Sequence, residues 1–74
     1  MGLEILDLHG LRHKDVDLEV ENFIFLKQER VPLIIVCGNS SRMIQLVSLT
    51  LEKHQVKFSC GMGLDYGKIT ITKV

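Results

Sequence analysis

Apolar residues are distributed along the chain with two different periods, and the changes of period mark the elements. Leu3 to Leu8 is dense in them and reads as a strand, with Leu3 and Ile5 on one face and Leu6 and Leu8 nearest the core on the other. Gly10 breaks that strand. Arg12 to Glu29 then shows helical recurrence, with Val16, Val20, Phe23, Ile24 and Lys27 on one side, and Phe23 and Phe25 are expected in the core. Asp15, Asp17, Glu19 and Glu21 fall early in this helix and Lys27 and Arg30 late, which suits the helix dipole.

After Pro32, the run Leu33-Ile34-Ile35-Val36-Cys37 is continuous, apolar and rich in β-branched residues, the pattern of a central strand buried on both faces. A second helix is expected from Ser40 or Ser41 to about His54, with Met43, Ile44, Val47 and Leu51 on its core face and either serine able to cap it. Val56 to Cys60 and Lys68 to Val74 alternate apolar and polar residues, so both predict strands with one face in water. The glycine-rich segment Gly61 to Gly67 between them fits a long hairpin better than a crossover. The expected order is β-α-β-α-β-β, an α/β fold.

Size adds that residues 1–74 form one domain, since a single core usually takes about 50 to 200 residues. A hydrophobic fraction of 46% supports a packed domain. Nine Lys/Arg balance nine Asp/Glu, so net charge offers no argument for nucleic acid and any phosphate affinity must be local. Cys37 and Cys60 lack CxxC spacing, which disfavours zinc and a disulfide framework and leaves reduced, buried thiols in a cytosol as the simpler expectation. No run reaches the 18 apolar residues of a membrane span, and Met1-Gly2 is followed by Leu6 where a myristoylation signal needs Ser or Thr. The expectation is a cytoplasmic protein without a membrane partner.

The candidate chemistry lies at the strand-to-helix turns. Residues two apart on a strand point the same way, so Asp7 and His9 are expected to project together from the carboxyl end of the first strand, where open α/β sheets bind ligands. A carboxylate beside an imidazole can orient the ring and hold it as a general base or a phosphate donor. The plainer alternative is that Asp7 caps the following turn and His9 is a surface residue. Arg12, His13 and Lys14 oppose the dipole at the start of the first helix, where outward N–H groups could hold phosphate or the side chains could simply be solvated. Gly38-Asn39-Ser40-Ser41-Arg42 offers a second anion cradle, although it is not a P-loop and ordinary capping also accounts for it. Met62 and Tyr66 could contact a base, and His54 is accounted for by its place at a helix end.

Leu6-Asp7-Leu8-His9-Gly10-Leu11, followed by an amphipathic helix, a buried strand, a Gly turn, a second helix and a terminal strand pair, resembles the small MutS-related domain family over nearly the whole chain. The resemblance implies a two-layer α/β sandwich like the C-terminal domain of a bacterial translation initiation factor. It implies DNA or RNA binding and, in several members, endonuclease activity, with Asp7 and His9 in the active centre. The family's second motif, His or Thr, then Gly, any residue, Gly, aligns with Cys37-Gly38-Asn39-Ser40. Only Gly38 matches; Cys37 replaces the His or Thr and Ser40 the second Gly, which alters the backbone approach to a phosphate.

The first expectation is therefore an endonuclease, a hydrolase of phosphodiester bonds favouring RNA over DNA. In it Asp7 and His9 are catalytic, and Gly10, Arg12, His13, Lys14, Gly38, Asn39, Ser40 and Arg42 bind nucleic acid. One His with one Asp makes a poor metal site, so no metal or cofactor is expected. A neutral chain binds nucleic acid weakly alone, which points to a ribosome or a delivering protein as partner. The alternatives are a non-catalytic RNA- or DNA-binding module and a protein-interaction adaptor.

Overall fold

The computed structural model describes residues Glu4 to Val74; the expected strand residue Leu3 and the Met1-Gly2 segment lie outside the described residues. The chain is a small α/β domain with a four-stranded mixed sheet and two helices. Strands β1 (Glu4–Asp7), β2 (Leu33–Val36), β3 (Lys57–Cys60) and β4 (Lys68–Lys73) lie in the order β1-β2-β4-β3. Helices α1 (His13–Lys27) and α2 (Ser41–Lys53) link β1 to β2 and β2 to β3. A short 3-10 turn at Gln28–Arg30 ends α1, so the helix stops two residues before the expected Glu29.

The topology fixes where the helices go. β1 pairs parallel with β2, and β4 is antiparallel to both β2 and β3, so β3 runs parallel to β2. Both crossovers move across the sheet in the same direction, and right-handed crossovers of that kind deposit their helices on one face. Burial agrees: Val16, Val20 and Ile24 of α1 and Met43, Val47 and Leu51 of α2 close over Leu33, Ile35, Ile69 and Ile71. The opposite face of the sheet is uncovered among the described residues. There Ile34 and Val36 are only partly buried and Ile5 is 58% exposed, so β2 is buried on one face and not on two as its continuous apolar run predicts. Ile34 is flanked by Ile5 and Thr70 in register, which shields it from the side without a covering layer.

Local features follow the sequence closely in α2. The Ser40 hydroxyl accepts from the Met43 N–H at 3.1 Å, so Ser40 and not Ser41 caps the helix. The other end closes as a Schellman motif: the Gln55 N–H donates to the Glu52 carbonyl at 3.0 Å and the Val56 N–H to the Leu51 carbonyl at 3.1 Å. Gln55 takes the left-handed conformation there, φ 57°, a place where glycine is usual. Buried Val56 packs beside Leu51 as that motif requires.

The two helices are strapped by polar contacts. The Thr50 hydroxyl donates to Asp17 Oδ1 at 2.7 Å, Lys53 Nζ lies 3.4 Å from Asp17 Oδ2, and His54 Nε2 lies 2.7 Å from Glu21 Oε2. The Phe25 ring meets the His54 ring edge to face, 5.3 Å between centroids. Phe25 is thus half-exposed on the helix layer and not in the core, and His54 has a carboxylate partner beyond its helix-end position. Cys60 is also exposed, against expectation, at the end of the edge strand β3, its sulfur 3.9 Å from the Ser48 hydroxyl; Cys37 is buried.

Candidate functional site

The carboxyl ends of β1 and β2, the first turns of α1 and α2, and the β3–β4 hairpin loop all meet at one end of the sheet. No strand order reverses here, because β4 fills the interval between β2 and β3. The crevice in which doubly wound sheets hold their ligands is therefore absent, and the site is an exposed end formed by three loops.

The first loop turns sharply. β1 stops at Asp7, buried Leu8 donates its N–H to the Val36 carbonyl at 2.9 Å, and the Leu11 N–H closes a β-turn on the Leu8 carbonyl at 3.0 Å. Gly10, at the third place of this turn with φ +80°, supplies the left-handed conformation that a type II turn needs. Asp7 Oδ1 accepts the main-chain N–H of His9 at 2.9 Å. This corrects the expected Asp7–His9 pair. The pleat that would aim both side chains together has ended before His9, and the carboxylate binds the backbone of His9 instead of its ring. The imidazole is exposed, with no side-chain hydrogen bond among the described residues.

The second loop is held from the far side. The Cys37 N–H donates to the Gly67 carbonyl at 2.6 Å, and Gly38 then turns the chain with φ +67° into Asn39 and the Ser40 cap. Asn39 is exposed and Gly38 half-buried, whereas the Cys37 side chain is in the core. Burial pushes the Cys37 thiol up to about 11, with a smaller contribution from Cys60, so this thiol is neutral at physiological pH. The Cys37 side chain has no access to this end of the sheet.

The basic residues complete the site. Arg12 precedes α1 without a side-chain cap, leaving the first N–H groups of that helix unmatched by side chains. Arg12, His13, Lys14 and Arg42 are exposed, and Arg42 Nη1 donates to Gln45 Oε1 at 3.2 Å on its own helix. Among the described residues the carboxylate partners of Lys27, Arg30, Lys53 and Lys68 are accounted for, and Arg12, Lys14 and Arg42 have none. Among the described residues, three of the five cations without a carboxylate partner, Arg12, Lys14 and Arg42, thus lie at this end, and the other two, Lys57 and Lys73, at the opposite end of the sheet. No group of three His, Cys, Asp or Glu side chains among the described residues is placed to hold a metal ion.

Sequence reasoning missed Lys68. It stands opposite Val36, which stands opposite Asp7, so Asp7 and Lys68 share a row on the uncovered face, about 10 Å apart across two strand spacings. No spacing in the sequence could reveal this, because it depends on β4 entering the sheet beside β2. No helix among the described residues is long and apolar enough to cross a membrane. No protein-family model matches the chain, and no curated protein or solved structure does either.

Proposed function

We propose that this chain is a small MutS-related domain that binds RNA across the carboxyl end of its sheet and cleaves it at His9. The observation that carries the reading is the gathering of Arg12, Lys14 and Arg42, all without carboxylate partners among the described residues, around two helix starts and the Leu8–Leu11 turn that presents His9. Its support beyond that is the Leu6-Asp7-Leu8-His9-Gly10 segment standing at a strand end, and helices packed on one sheet face, as a two-layer α/β sandwich requires. In this reading His9 takes the proton of a ribose 2′-hydroxyl, whose oxygen attacks the adjacent phosphorus. The P–O5′ bond breaks and the 5′-oxygen takes a proton from water, giving a 2′,3′-cyclic phosphate and a 5′-hydroxyl, while the protonated His9 returns its proton to solvent. Arg12, Lys14, Arg42 and the exposed N–H groups of the helix starts stabilise the added negative charge, alongside His13, Asn39, Ser40 and the backbone at Gly10 and Gly38. Asp7 acts as a positioning residue through the His9 main chain. Nicking of DNA would use the same phosphate contacts with a water nucleophile. A neutral domain working in the cytoplasm relies on a ribosome or a carrier protein to raise its local concentration.

A second reading, binding without cleavage, is favoured by one observation: Asp7 spends its Oδ1 on the His9 N–H and so leaves the imidazole without an orienting hydrogen bond from that atom. Labelled single-stranded RNA, duplex RNA and supercoiled DNA, incubated with the protein and with H9A, separate the two. Cleavage by the protein and not by H9A, with binding retained, is the expected result. Salt-dependent binding with no cleavage by either leaves the second reading, cleavage equal in both removes His9 from the chemistry, and no binding leaves a protein-interaction adaptor. Replacing Arg12, Lys14 and Arg42 together by Gln should reduce the slope of log affinity against log salt by about 2 on single-stranded RNA.

A further inference from the structure

The hairpin loop between β3 and β4 has a character that phosphate binding does not use. Met62 is 84% exposed, Leu64 is fully exposed and Tyr66 is 47% exposed, three apolar side chains at alternate positions of one short loop. The loop is not slack. Its ends are joined by the Gly61 N–H to the Lys68 carbonyl at 2.8 Å, and a 3-10 turn at Gly63–Asp65 is closed by bonds of 3.1 Å from Asp65 to Met62 and from Tyr66 to Gly63. Gly61 lies against the backbone of Asp65, and Gly67 against that of Gly38, too close in each case for a Cβ. A braced loop that holds apolar groups in water at the end of the sheet carrying the free cations is built to meet something there.

We infer that Met62, Leu64 and Tyr66 form a wedge that contacts unpaired bases, so that the domain prefers single-stranded or looped RNA to a continuous duplex. The inference rests on the RNA-binding reading of the same end. Size decides against a folded protein as the occupant: these three side chains offer at most a few hundred Å², whereas a specific protein interface takes about 800 Å² from each partner. A base offers an apolar face of the right area for one aromatic ring, and Leu and Met are residues that insert between base steps. Arg12, Lys14 and Arg42, at the same end of the sheet and without carboxylate partners among the described residues, would hold the adjoining phosphates. In a continuous A-form duplex the base faces are stacked on one another and the minor groove offers only edges and 2′-hydroxyls, so apolar side chains of this kind gain base faces only where bases are unpaired.

The test compares a hairpin RNA carrying an unpaired loop with a fully paired RNA of equal length, using the full chain and the variants M62S, L64S and Y66A. Met62 and Leu64 are surface residues, so their replacement leaves the fold intact, which a thermal melt verifies. The protein should bind the hairpin at least ten-fold more tightly than the duplex, L64S and Y66A should each lose about ten-fold on the hairpin, and all variants should stay within two-fold on the duplex. Equal binding of both RNAs by the unaltered protein, or unaltered hairpin binding by all three variants, overturns the wedge and leaves the RNA-binding reading standing. Failure of the unaltered protein to bind either RNA overturns both. Loss of a dimer in L64S, seen by light scattering, assigns the loop to a second copy of the chain and also overturns the inference.

Discussion

Gly67 packs its α-carbon directly on the carbonyl of Gly38, so closely that a Cβ on Gly67 would overlap that oxygen. Gly67 also has φ +93°, and its own carbonyl accepts the Cys37 N–H. Gly38 differs: it too has a positive φ, but a Cβ there meets open space. G67A should therefore cost about 3 kcal/mol or more, because backbone cannot move aside as a side chain does, and G38A about 1 kcal/mol from conformation alone. Urea unfolding of the two variants checks this, and equal costs would contradict the close approach.

At the end of α2, Gln55 holds a left-handed conformation that costs a residue with a Cβ about 1 kcal/mol. Q55G should raise stability by about 0.5 to 1 kcal/mol, part of the gain being returned through the freer unfolded chain. A higher melting temperature with an unchanged denaturant m-value is the expected sign.

The strap between the helices makes stability sensitive to acid. The Thr50 hydroxyl, with help from Lys53 and against some desolvation, holds the Asp17 carboxyl below the usual carboxylate range. A depressed folded value means that the contribution is present above about pH 4 and lost as the pH falls through it. T50V removes the leading cause, so the stability gap between the protein and T50V should be largest near pH 6 and shrink as the pH falls toward 2. A gap independent of pH would show that Thr50 acts only through packing.

The thiols should behave unequally. Exposed Cys60 should react with a thiol reagent at once, while buried Cys37, pushed up to about 11, should react only on unfolding. A raised thiol stabilises the fold below its unfolded value near 8.5, and that contribution fades as the pH rises toward 11. One equivalent titrated in buffer and a second in guanidinium is the expected count.

Much of this was legible because local chemistry decides it. The Ser40 cap, the stripe Met43-Val47-Leu51, the turn at Gly10 and the hairpin at Gly61–Gly67 all follow from periods and turn residues. What depended on nonadjacent pairing was not legible. The run Leu33 to Val36 looks the same whether one or both faces are covered, and only the shared direction of the two crossovers leaves Ile34 half in the open. The site was half legible for the same reason. Asp7 and His9 were located, but a strand that stops at Asp7 turns a side-chain pair into a side-chain to main-chain bond. Lys68 gave no signal, since its place opposite Val36, like that of Gly67 against Gly38, is set by β4.

That placement of β4 has a consequence for how the chain reaches its final form. β2 and β3 run parallel with β4 between them, and among the described residues only β4 bridges them within the sheet. During synthesis, the first two strands and both helices can emerge and associate while β3 still has no sheet partner. The sheet closes only when residues 68–73 slot into the gap, and the same event carries Gly67 onto Gly38. A chain lacking β4 would therefore keep the turns after β1 and β2 but lose the Gly67 contact that ties the apolar loop to Gly38.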